Sequence, residues 1–138
     1  MTKSILVVVL LIPFVSASHA DQVSLLVNQT MGQAEFTDRI LKKVFLGRYK
    51  TSEKGAAISP CYLDEPKVRD ELYKISKKSA DKYRRYWNKR LFSGTGVPPK
   101  VFKSREKVYQ YMRSEEGAVC LSMSDTDIPG EISSVVLD

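Results

Sequence analysis

Histidine is almost absent from this sequence. His19 is the only one in 138 residues, and it falls within the first twenty. If those twenty are a leader that is removed, the chain keeps no histidine. The commonest general base and metal-ligating nitrogen then goes with it. Neither a Ser–His nor a Cys–His nucleophile can be assembled. The carboxylates offer little in exchange. Asp64 and Glu65 are adjacent at a helix start, where they serve the helix dipole, and Asp125 with Asp127 lacks the further oxygen ligands that calcium needs. The expectation is a non-enzyme with no catalytic residue, no cofactor and no metal site.

Long apolar runs are missing too. The longest, Ile5 to Val15, covers about eleven residues with Pro13 inside it, roughly half of what a membrane-spanning helix needs. Lys3 stands ahead of this run, and Ser18-His19-Ala20 behind it places small residues three before and one before a cut. That is the anatomy of a secretory signal peptide. Residues 1–20 are expected to be removed after Ala20, and no cysteine stands at the cut to take a lipid. The remainder, 21–138, is expected in the periplasm with no integral span. It contains no repeat, low-complexity tract or Pro, Gly or Ser-rich linker, so it suits one domain with one core.

Positive charge is plentiful. The formal net charge is +6, and +5 once Lys3 leaves with the leader. Much of the excess lies in one stretch, Pro66 to Pro99, which also holds the only Trp. Val68, Leu72, Ile75, Ser79, Tyr83, Tyr86 or Trp87, and Leu91 follow one another at steps of three and four, the pattern of one helix face. Lys74, Lys77, Lys78, Lys82, Arg85 and Lys89 take the other side. The helix is expected to break near Ser79 to Asp81. A basic, tyrosine-rich helix attracts nucleic acid, but export excludes that partner. An acidic protein, a lipid headgroup or a polysaccharide is the alternative, set against a merely solvated lysine face.

Around this stretch the chain alternates strands and helices. QVSLLVN (22–28), AAISPCYL (56–63), AVCLSMS (118–124) and ISSVVL (132–137) read as strands, with Pro60 pointing to an edge or a bulge. Thr37 or Asp38 caps a helix carrying Ile40, Leu41, Val44 and Phe45. Gly47 stops it, and Phe36 is placed to staple onto Leu41. Asp64 is the expected cap of the central helix, with Pro66 in its first turn. Ser104 caps a shorter helix with Val108, Tyr111 and Met112. Long connections favour parallel pairing. The predicted fold is a small three-layer α/β unit, with a mixed or mostly parallel sheet and flanking helices. Cys61 and Cys120 form an even pair in an oxidising compartment, which suggests a disulfide; the alternative is two buried thiols on strands too far apart to bridge.

Several segments in this order carry a resemblance: Phe45-Leu46-Gly47-Arg48, then Tyr86-Trp87 with Phe92, then Gly94, Gly96, Pro98 and Pro99, and finally Gly117 to Leu121. Together they resemble the periplasmic phosphate-binding proteins of ABC transporters, particularly short single-lobe members, over most of Val23 to Ser124. The resemblance implies one lobe of a type 2 periplasmic binding protein. It also implies an anion site where a strand opens into a helix through an arginine, an aspartate and a Ser-Gly-Thr run. Here that opening reads Leu63-Asp64-Glu65-Pro66-Lys67-Val68, without a hydroxyl, and Pro66 removes one N–H donor. Asp64 and Glu65 already supply negative charge to the helix start. The Ser93-Gly94-Thr95-Gly96 loop follows a helix and leads into two prolines, so no helix dipole is aimed at it; it reads as a turn. A two-lobed clamp also needs more chain than is present here.

Three functional expectations follow. The first is a non-catalytic periplasmic module that holds an envelope protein through Lys77, Lys78, Lys82 and Lys89. The second is a weak binder of phosphate or another anion, completed by another lobe or copy and linked to phosphate uptake or sensing. The third is a small secreted basic protein with an accidental likeness.

Overall fold

Val23–Asn28 forms β1, and Leu25, Leu26 and Val27 within it are almost completely buried. A strand apolar on successive residues must be covered on both faces, and β1 is an interior strand of the sheet. The computed structural model describes residues 21–137. The signal-peptide expectation and the cut after Ala20 lie outside the described residues.

The remaining elements, in chain order, are α1 (Asp38–Phe45), β2 (Ser59–Leu63), α2 (Pro66–Ser76), α3 (Ala80–Phe92), β3 (Lys100–Phe102), α4 (Arg105–Ser114), β4 (Ala118–Met123) and β5 (Ile132–Val136). The sheet order is β3-β2-β4-β1-β5. β2 pairs in parallel with β3 and β4, whereas β1 is antiparallel to both β4 and β5. The sheet is therefore mixed: four strands run one way and β1 is inserted against them. Parallel pairing thus holds for β2, β3 and β4 and fails for the first strand.

Local chemistry explains the helix boundaries. The Thr37 hydroxyl accepts from the Ile40 amide at the start of α1, and Leu41, Val44 and Phe45 turn inward. Gly47 follows at φ +69, where a Cβ would come within 2.6 Å of the Trp87 ring. Its lack of a side chain both permits the left-handed backbone and admits the indole. The long central pattern is two helices, as expected, but the first ends earlier, at Lys77 in a left-handed conformation (φ 56). Ser79 then caps α3 through the Lys82 amide. Ser104 caps α4 in the same way through Lys107.

Three local expectations are corrected. The N-cap of α2 is Glu65, not Asp64, and no side chain caps it. Leu91 is half exposed and Ser79 is exposed, so the inner face of the second segment consists of Tyr83 and Trp87. Pro60 lies in β2, which is flanked on both sides and is not an edge strand. The Ser59 amide donates to Gly117 at the β4 side, so the next residue faces the β3 side, where pairing begins only at Cys61. Pro60 therefore forfeits no ladder hydrogen bond.

Right-handed crossovers in opposite directions put α2 and α3 on one face of the sheet and α4 on the other. Phe102 of β3 meets Tyr111 of α4 with ring centroids 5.1 Å apart, and α1 packs against α2. Cys61 and Cys120 are exact register partners on β2 and β4, fully buried, with Cα atoms 4.5 Å apart, and are joined by a disulfide. No helix among the described residues is long and apolar enough to cross a membrane.

Candidate functional site

In an open α/β sheet, ligands bind beyond the carboxyl ends of the parallel strands, where connections leave in opposite directions. Here β2 leads outward to β3 and β4 leads across β1 to β5, which places that point between the ends of β2 and β4. The residues delivered there are Asp64 and Arg69 after β2, and Asp125 after β4. Arg105 and Tyr109 reach it from the first turns of α4.

These groups are already committed to one another. The Arg69 guanidinium donates to the Asp64 carboxylate in a close ion pair with both side chains about one-third exposed. Arg105 lies 3.8 Å from Asp125, and the Tyr109 hydroxyl donates to the same carboxylate at 3.1 Å. The Asp127 amide caps the other Asp125 oxygen. That backbone bond, with Tyr109 and Arg105, holds the Asp125 carboxyl below its ordinary range. Burial, reinforced by Asp125, pushes the Tyr109 phenol up to about 12, so at neutral pH it is a fixed donor and not a base. Each arginine thus has its counterion, and an incoming phosphate would have to displace a carboxylate in both places. Among the described residues, no group of three or more metal-ligating side chains gathers.

The Ser93–Gly96 loop is no phosphate cradle. The amides of Ser93, Gly94 and Thr95 donate to the last carbonyls of α3, at Lys89, Leu91 and Arg90. The Thr95 carbonyl accepts from Arg90, and a Cβ on Gly96 would press on the Arg90 guanidinium at 3.1 Å. With the N–H groups of Ser93, Gly94 and Thr95 spent, the loop is a turn wound onto Arg90.

The four lysines divide. Lys77 lines a groove of about 810 Å³ between α1 and α2, together with Asp38, Arg39, Lys42, Glu71 and Lys74. Lys78, Lys82 and Lys89 belong to the Tyr86 side of α3: Lys82 and Lys89 flank Tyr86 at helical spacings of four and three, and the Lys78 ammonium sits 5.1 Å from the Tyr86 ring centre. Arg48 and Arg90 crowd the same ring at 5.8 and 5.5 Å. The Tyr86 hydroxyl and Arg90 both donate to the Leu46 carbonyl, and Tyr83 donates to the Phe45 carbonyl. This node clamps α3 to the carboxyl end of α1, where cations suit the dipole. The Arg105–Tyr109–Asp125 cluster is not legible in the sequence because it forms only when α4 packs beside the end of β4. Arg69 facing Asp64 was obscured by reading Asp64 as a cap.

The fold, a mixed five-stranded sheet with flanking helices, matches one lobe of a periplasmic binding protein. The chain is similar to a phosphate ABC transporter substrate-binding protein from Clostridium perfringens, solved with bound phosphate. The TM-score is 0.60 at 15% identity, over 83% of this chain and 44% of that one. It is also similar to an ABC-type phosphate transport receptor from Vibrio cholerae, with a TM-score of 0.50 at 15% identity, over 83% of this chain and 45% of that one. This chain therefore spans less than half the length of either. No protein family profile and no curated protein matches the sequence.

Proposed function

We propose that this chain is a non-catalytic module of the periplasm, exported by its leader, which uses a phosphate-receptor lobe as a scaffold for holding a protein of the cell envelope. The observation that carries this reading is the crevice at the carboxyl ends of β2 and β4. Its two arginines are neutralised by Asp64 and Asp125, so the place where a phosphate would be held is filled from within. The surface left for a partner is the Lys78, Lys82 and Lys89 side of α3, with Lys77 at the adjoining groove, and an acidic protein surface complements it. A pull-down from envelope extract tests this, using the parent and a variant with Lys77, Lys78, Lys82 and Lys89 changed to Glu. One specific band lost with the variant is the expected result. Equal capture by both would overturn the assignment of that face.

A second reading, weak binding of phosphate or another anion in uptake or sensing, is favoured by one observation: a structurally similar receptor carries bound phosphate. It requires the Asp64–Arg69 pair to open.

A further inference from the structure

We propose that the outer face of α3 and the turn after it dock on an anionic lipid surface, with Phe92 as the inserted side chain. Phe92 is 93% exposed, Val97 77% and Leu91 50%, an unusual display of large apolar groups at one corner of the molecule. Phe92 shares its side of α3 with Lys89 and Arg85, at spacings of three and seven. The apolar corner is thus the end of a basic helix face. No Asp or Glu occurs between Asp81 and Glu106, an interval that holds eight Lys and Arg residues. Among the described residues, Arg85, Lys89, Lys100 and Lys103 have no carboxylate within ion-pair distance.

The corner is built rigidly. Gly94 at φ +68 turns the chain, Ser93 and Thr95 share a hydroxyl hydrogen bond of 2.9 Å, and Arg90 holds the Thr95 carbonyl at 2.9 Å. Phe92 and Val97 are therefore presented without further ordering on contact. Aromatic and aliphatic side chains ringed by cations suit the boundary between anionic headgroups and acyl chains. A second copy suits it poorly, because a two-fold contact would set Arg85 and Lys89 against their own equivalents. The lipid contact goes beyond the protein-holding role; the two faces share Lys89, and Lys77, Lys78 and Lys82 are left free for the protein partner.

Co-sedimentation of the exported chain with vesicles tests the proposal. The parent is expected to bind phosphatidylglycerol-containing vesicles, to bind pure phosphatidylcholine far more weakly, and to release as salt rises. Phe92→Ser, a surface change that leaves the melting temperature unaltered, is expected to lower vesicle affinity roughly tenfold or more. Absence of binding to anionic vesicles, or equal binding by Phe92→Ser, would overturn it. So would an effect of that substitution on self-association or protein capture without any effect on vesicles. Because the four lysines of the protein-holding face are untouched in Phe92→Ser, failure here and failure of the pull-down are separately readable.

Discussion

At the scale of single residues, two contacts decide whether the molecule is as described. Gly47 is caught between a left-handed backbone and the Trp87 ring, so Gly47→Ala adds both backbone strain and a clash that a buried indole cannot yield to. It should lose about 2 kcal/mol or more in urea unfolding. Tyr109→Phe removes a donor to the Asp125 carboxylate and should cost about 1 kcal/mol at neutral pH. The sign with pH follows from the lowered Asp125 value. Stability from a depressed carboxylate is present above its ordinary value of 3.8 and is lost as pH falls through the lower folded value. The difference between parent and Tyr109→Phe should therefore narrow in acid. Gly47 was legible in the sequence as a helix stop; its contact with Trp87, forty residues on, was not, because only the folded chain brings them together.

At the scale of elements, the legible features were those with a local cause. Thr37, Ser79 and Ser104 each cap the helix they precede, and apolar spacing found every helix. β3 escaped because three residues after Pro99 carry no periodicity; its existence depends on pairing with Cys61–Leu63. Pro60 misled for a similar reason, since an edge can be local to one residue when the neighbouring strand starts late. α3 is anchored chiefly by Tyr83 and Trp87, not by the Leu91 its pattern suggested. Trp87→Ala should accordingly destabilise the protein by about 3 to 5 kcal/mol in denaturant titrations. If the variant instead melts like the parent while losing a partner, Trp87 acts as a surface anchor and the packing described for α3 fails.

At the scale of the whole molecule, the sheet has the fold of one lobe of the solved proteins it resembles, with one antiparallel interior strand, β1, and with β2 and β4 stapled by Cys61–Cys120. Unreduced protein should weigh less than its reduced form by two hydrogens. Closing a separation of 59 residues should contribute about 4 kcal/mol, lost when both cysteines become Ala or Val. The lobe architecture was legible from the order of short motifs, and the direction of β1 was not, since a buried apolar strand reads the same whichever way it runs. The acid-filled helix start was also legible in part: Asp64 and Glu65 were visible, but Asp64 acts through Arg69 and not as a cap. The central proposal is that internal ion pairs fill the crevice at the carboxyl ends of β2 and β4, the position where an open α/β sheet ordinarily takes a ligand. Calorimetric titration of the purified chain with inorganic phosphate tests this most directly. The account predicts no heat of binding in the micromolar range, and saturable micromolar binding by the monomer would contradict it.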